Sequence, residues 1–173
     1  MSLIAAPQKR ASQVICLGEA LVDRLGPLGG DPAMDLPVED CFGGAPANVA
    51  CGLARLGTEV AFVGRLGDDE IGSRFRDLMK ARGVDLRGLQ IDHLRPSRIV
   101  LVRRESNGER VFQGFAGGRG DGFADEALGL RGLIQDWSLI ASQARWLLVG
   151  TIPLATHDSA EALLWSLNQA SKS

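Results

Sequence analysis

Apolar positions along the chain change their period several times, and each change predicts an element. Val14-Ile15-Cys16-Leu17 is an unbroken apolar run closed by Gly18, the pattern of a strand buried on both faces of a parallel sheet. Residues 26–37 are rich in Gly, Pro and Asp and read as a loop. Over 46–56 the period becomes helical, with Val49, Ala50, Leu53 and Leu56 on one face. Pro46 suits the first turn, where a missing N–H costs nothing, and Gly57 suits the stop. Residues 60–63 predict a second buried strand. A second helix follows over 69–82, with Ile71, Phe75, Leu78 and Met79 as its stripe and Gly83 at its end.

Residues 98–115 break this alternation. Ile99-Val100-Leu101-Val102 and Val111-Phe112 flank Ser106-Asn107-Gly108, and Asn-Gly between apolar runs is a hairpin signal. The earlier pattern then resumes, with a helix over 130–142, a strand over 146–149 and a helix over 158–170. In the last helix Ala160, Leu163, Leu164 and Leu167 are expected to face the core, with Asp158 and Glu161 as a capping pair. The order predicts an α/β fold, a partial doubly wound sheet carrying a small antiparallel β insert. Three parallel strands leave an exposed edge, so the domain reads as unfinished on physical grounds. Residues 1–12 read as a loose leader.

Composition narrows the function. The chain has 173 residues, enough for one domain with a real core. Its net charge of −2 gives no electrostatic case for nucleic acid or an anionic membrane. Arg95, Arg98, Arg103, Arg104 and Arg110 gather in one region, which reads as a solvated face for most of them. Cys16, Cys41 and Cys51 are odd in number and form no CxxC pair, which argues against a disulfide framework or a zinc site. No long apolar stretch opens the chain and none spans a bilayer, so a cytoplasmic protein is expected.

Gly43-Gly44-Ala45-Pro46-Ala47-Asn48 carries the chemistry. Two glycines directly before a helix let backbone approach a ligand without a Cβ in the way. The free N–H groups of the first turn point at whatever binds there, and Asn48 both donates and accepts. A plain tight turn into a helix gives the same local pattern. The longer run Gly43 to Gly67, GGAPANVACGLARLGTEVAFVGRLG, resembles the first signature of the ribokinase family, also called PfkB carbohydrate kinases. It continues into Asp68-Asp69-Glu70-Ile71-Gly72, which is similar to that family too. Gly18-Glu19-Ala20-Leu21-Val22-Asp23 resembles the family's first strand and turn in its fructokinase-like form.

The resemblance implies a ribokinase-like sheet over 13–173, with lid strands around 35–42 and 85–115. It implies that Asp23, Gly43, Gly44 and Asn48 bind a small-molecule sugar. A carboxylate suits that role because it accepts from two adjacent hydroxyls. Arg103 and Phe112 are lid candidates, and surface or lid-packing roles suit them equally. A homodimer through the lid is a further implication. The full-length family uses ATP and Mg2+ to phosphorylate a sugar hydroxyl, fructose being favoured here; ribose, 2-keto-3-deoxygluconate and a nucleoside stay open. The nucleotide site and catalytic base are expected in a C-terminal half absent from this chain, so the chain itself reads as an inactive part or as a non-catalytic sugar-binding or lid-pairing module. Neither a G-x-x-x-x-G-K-[ST] loop nor a G-x-G-x-x-G after the first strand occurs, which argues against a dinucleotide site. Gly118-Arg119-Gly120-Asp121-Gly122-Phe123 resembles the family's second signature, but its place straight after the hairpin favours a Gly- and Asp-rich loop.

Overall fold

The continuous apolar run expected to be a buried strand of a parallel sheet is one. In the computed structural model, which describes residues 11–117 and 122–172, β1 (Val14–Leu17) lies in the middle of a parallel sheet. In chain order there follow β2 (Leu21–Leu28), β3 (Glu39–Gly43), α1 (Ala45–Arg55), β4 (Val60–Gly67), α2 (Glu70–Ala81), β5 (Asp85–Asp92), β6 (Ile99–Arg104), β7 (Arg110–Ala116), α3 (Leu130–Ala141), β8 (Trp146–Val149) and α4 (His157–Ala170). The parallel sheet has the order β5-β4-β1-β8. Alternation splits its side chains between two layers. Cys16, Phe62 and Met79 pack on the α1 and α2 side, while Ile15, Leu17, Val63 and Ile140 pack on the α3 and α4 side. The result is a three-layer, doubly wound body.

Residues 85–92 were expected among the lid strands and instead form β5, the outer strand next to β4. Its sequence DLRGLQID lacks an apolar run because one edge is open and Asp85 and Asp92 are buried as partners of arginines. The loop expected over 26–37 begins later, since β2 runs to Leu28. The second sheet is therefore larger than a hairpin, with the order β3-β2-β6-β7. It is mixed rather than antiparallel, because β2 and β6 run parallel while β2–β3 and β6–β7 are antiparallel. The Asn107-Gly108 turn does join β6 and β7, with Gly108 at φ 86°.

In α4 the core face is turned from the one expected. Ser159, Ala162, Leu163 and Ser166 are buried, while Leu164 and Leu167 are 58% and 39% exposed. Two serines on the core face conceal the period; Ser159 donates to Pro153 O and Ser166 to Ala162 O, so neither is left unsatisfied. Thr156, not Asp158, stands at the helix start, and its hydroxyl bonds Glu126 O. Leu56 is likewise exposed at the end of α1. Most of residues 1–12 lies outside the described residues, yet Ser12 is already buried.

Two polar ties hold the sheets together. Asp69 accepts from Gly72 N–H at the start of α2 and from Ser97 N–H and hydroxyl. Arg98, placed in a solvated cluster by its sequence context, is 4% exposed. It donates to both Asp125 oxygens at 2.8 and 3.0 Å and to Glu126 at 2.5 Å. Its guanidinium lies over Phe115 and Phe123, at 4.8 and 4.6 Å from the ring centroids. Burial opposes the Arg98 charge, but the two carboxylates outweigh it and hold its pKa above the ordinary value. At Asp125 burial pushes the carboxyl up more than Arg98 pulls it down. These senses conflict. The bidentate contact with a guanidinium that cannot lose its proton favours the charged pair.

Arg98→Ala leaves Asp125 buried without its cation, and the expected loss is about 3–5 kcal/mol. Urea unfolding of the two proteins measures it. An unchanged midpoint would show that the pair does not join the sheets.

Candidate active site

A turn between two sheets places the candidate residues. β3 ends at Gly43 and α1 begins after Gly44, which has φ 94° and no side-chain cap to offer. A Cβ on Gly44 would lie 2.6 Å from Glu19 O, and one on Gly43 would lie 2.9 Å from Asp23 Oδ2. Glycine is required at Gly44, and at Gly43 a side chain would have to displace the Asp23 carboxylate. At Gly44 the positive φ and the neighbouring backbone both exclude a side chain; at Gly43 the excluded volume belongs to the Asp23 carboxylate. The turn is thus wedged between Glu19, in the link after β1, and Asp23 of β2.

Asp23 lies in β2 opposite Cys41 of β3 and beside Val100 of β6. Val100 in turn pairs with Phe115, and Val102 with Phe112. Partners in a rung share a face, so Asp23, Cys41, Phe112 and Phe115 belong to one face of the mixed sheet. Phe112 and Phe115 are 61% and 48% exposed and meet edge to face at 5.2 Å. Arg110 pairs with Arg104 on the same face, and its charge reaches Asp23. Burial raises the pKa of Asp23, and Arg110 lowers it in part. No hydrogen bond satisfies the Asp23 carboxylate among the described residues.

Asn48 is exposed in the first turn of α1, where its N–H donates to Gly44 O at 2.9 Å. Arg103 takes a different position. It alternates with Val102, so it falls on the face of Leu101 and Arg24, where its guanidinium pairs with Glu105. Phe115, Arg110 and Cys41 were missed from the sequence. Counting alternate residues back from the Asn107-Gly108 turn finds the strand face, but a bulge at Gln113 shifts the count between Phe112 and Gly114. The Gly118–Phe123 segment has its centre outside the described residues; Phe123, at its end, stacks on Arg98.

The arrangement suits a polyol. An unsatisfied carboxylate accepts from adjacent hydroxyls, a glycine turn admits the ring, and the aromatic edge strand covers apolar carbon. A cavity of about 320 Å³ lined by Ile15, Trp137, Trp146 and Leu147 lies at the other end, where β1 and β8 begin. Ligands of open α/β sheets bind at the carboxyl ends of the strands, which is where Gly43 and Asp23 sit. Among the described residues no group of three or more His, Cys, Asp or Glu is placed to hold a metal ion. Nor is any helix among the described residues long and apolar enough to cross a membrane.

A parallel sheet with a mixed sheet at its carboxyl ends defines the ribokinase-like fold. An Escherichia coli protein solved as a putative ribokinase II shares it at TM-score 0.77 over 93% of this chain and 50% of that one, with 22% identity. The model of the pfkB family carbohydrate kinases matches residues 11–172, and the chain belongs to that family. It is similar to the fructokinase of Escherichia coli, 41% identical over 102 residues, which cover 59% of this chain and 31% of that protein. Probable fructokinase-7 of Arabidopsis thaliana is 40% identical over 100 residues, 57% of this chain and 29% of that one. Fructokinase from Xylella fastidiosa superposes at TM-score 0.78 with 32% identity over 92% of this chain and 47% of its own; another structure of that enzyme holds bound ATP. The chain thus matches about a third of these curated relatives and about half of the solved structures.

The same substitution should have opposite effects at the cap of α1 and inside it. Gly44→Ala meets backbone at a positive φ and is expected to cost about 1–3 kcal/mol. Gly52 has open space around its Cβ position, and Gly52→Ala should stabilise by about 0.5–1 kcal/mol. Thermal unfolding of both variants gives the two signs.

Proposed function

We propose that the chain is the sugar-binding part of an ATP-dependent kinase that phosphorylates a hydroxyl of a ketose such as fructose. The observation that carries this reading is the unsatisfied Asp23 carboxylate held against Gly43 at the carboxyl ends of the sheet. Asp23 accepts from two neighbouring sugar hydroxyls and orients them. The Gly43-Gly44 backbone and Asn48 bind further hydroxyls. Phe112 and Phe115 close over the sugar and exclude water from the reacting oxygen. Arg103 supports the sheet from its other face.

Phosphoryl transfer also requires a positioned nucleotide, a cation and a base. In this reading the nucleotide and its Mg2+ are held by the part of the kinase that this chain does not cover. The 173-residue chain alone is expected to give no ATP-dependent turnover of fructose in a coupled assay. A second reading rests on the exposure of Phe112, Phe115 and Val111 on the edge strand β7. In that reading the mixed sheet also pairs two copies into a homodimer, as a non-catalytic binding module of the same ancestry would use it. The protein acts in the cytoplasm.

Binding and stability should part company at Asp23. Its raised pKa means that the folded chain takes up a proton more readily than the unfolded one. Stability therefore falls as pH rises from the ordinary 3.8 through the raised value. Asp23→Asn removes that cost, so at pH 7 it should unfold at a temperature equal to or above wild type, and the difference should vanish in acid. Fructose should raise the unfolding temperature of the wild type and not that of the variant. A wild type that responds to no ketose, or a variant that responds equally, would sink this assignment.

A further inference from the structure

Strand order in the parallel sheet reverses at one place. From β1 the chain moves to β4 on one side, and β8 is later laid on the other. The crevice between the ends of β1 and β8 is therefore the switch point of the sheet. Gly18 and Gly150 face each other there. Gly150 N–H donates to Leu17 O at 2.7 Å, and a Cβ on Gly18 would lie 3.1 Å from Gly150 Cα. Pro46, in the first turn of α1, packs against both, since a Cβ on Gly18 or Gly150 would lie 2.6 or 2.8 Å from its Cγ.

Glu19 fills the notch left by Gly150. A Cβ on Gly150 would overlap Glu19 Oε2. The residue is 8% exposed, and Oε2 is buried with no hydrogen-bond partner among the described residues. Helix α1, against whose Pro46 this notch lies, has a glycine N-cap with no side-chain bond and no acidic residue in its first turn. A helix start carries partial positive charge and is stabilised by a nearby anion. Glu19 thus supplies from another element the negative charge that α1 lacks. Its carbonyl lies beneath Gly44 at the same time. The remaining charges around it are Asp125, whose pKa Glu19 raises, and through Asp125 the paired Arg98 and Glu126.

We infer that Glu19 is a positioning residue: its carboxylate charge, wedged between Gly150 and Pro46 at the switch point, holds the Gly44–Asn48 turn in register with Asp23 for sugar binding. The sugar-binding part of this inference rests on the function proposed above; the ordering of the turn does not. Glu19→Gln keeps the volume and removes the charge. Amide exchange over residues 44–48 should rise about fivefold in this variant, with exchange in α3 unchanged, and fructose affinity should fall by a similar factor. Gly150→Ala, which displaces the carboxylate while leaving it charged, should give the same exchange pattern. Space-filling alone predicts a Glu19→Gln variant identical to wild type, and that result overturns the inference. If the wild type binds no ketose, the functional reading fails, and the exchange data still decide the role of Glu19.

Discussion

Arg98 is the contact on which the relation between the two sheets depends. The chain leaves the body at Pro96, runs through β6 and β7, and returns at Ala124, whose N–H donates to Pro96 O at 2.9 Å. Arg98 bridges departure and return by holding Asp125 and Glu126. The hairpin is therefore a loop closed at its base by a buried ion pair. Desolvating such a pair is costly, and it is retained only where its geometry is complete. Here two carboxylates and two aromatic faces surround a single guanidinium, so most of its donors and its planar faces are occupied. With the base fixed, β6 fixes β2 by parallel pairing, and β2 carries Asp23 to the glycine turn.

Close backbone approach does the rest. A Cβ on Gly64 would lie 2.6 Å from Gly18 O, and one on Gly44 the same distance from Glu19 O. Three strand ends and the start of α1 converge where side chains have been deleted. The site is consequently shaped by missing volume, and the few carboxylates nearby are aimed by what surrounds them. Asp23 is aimed by Gly43 and its rung partners. Glu19 is aimed by Gly150 and Pro46.

Much of this was legible in the sequence, for a physical reason in each case. β1 and the core of β4 are runs buried on both faces, so their pattern survives any context; β8 keeps an apolar run although it is an edge strand with Trp146 exposed. The start of α1 is marked by Pro46 and its end by Gly57, which takes φ 85°. The glycine turn was legible because two glycines directly before a helix record where backbone must pass close, whereas Asp23 rests on the resemblance of residues 18–23 to the family's first strand and turn; its carboxylate does lie against Gly43. β5 was not legible, since an edge strand with buried acids lacks a hydrophobic signature. Nor was the core face of α4, where Ser159 and Ser166 replace apolar residues by bonding backbone carbonyls. The buried state of Arg98 was hidden as well, because its partners lie some 27 residues away in the chain.

Satisfaction of polar groups separates scaffold from site. Asp69 accepts three hydrogen bonds. Asp92 takes two backbone N–H groups as well as Arg95 and Arg65, and its pKa is lowered even though burial alone would raise it. Arg98 is bound by two acids. Asp23, by contrast, has a raised pKa and no donor among the described residues, and Glu19 Oε2 has none among them either. Leaving a buried acceptor unpaired costs free energy that a stable scaffold has no reason to give up. Arg65 Nε and Arg103 Nε are also buried without a hydrogen bond among the described residues, but the two carboxylates, Glu19 buried and Asp23 half-buried, flank one two-glycine turn, with Asp23 on its open side and Glu19 beneath it. That contrast supports the proposal that this turn, rather than the cleft lined by Trp137 and Trp146 at the opposite end of the sheet, meets the sugar.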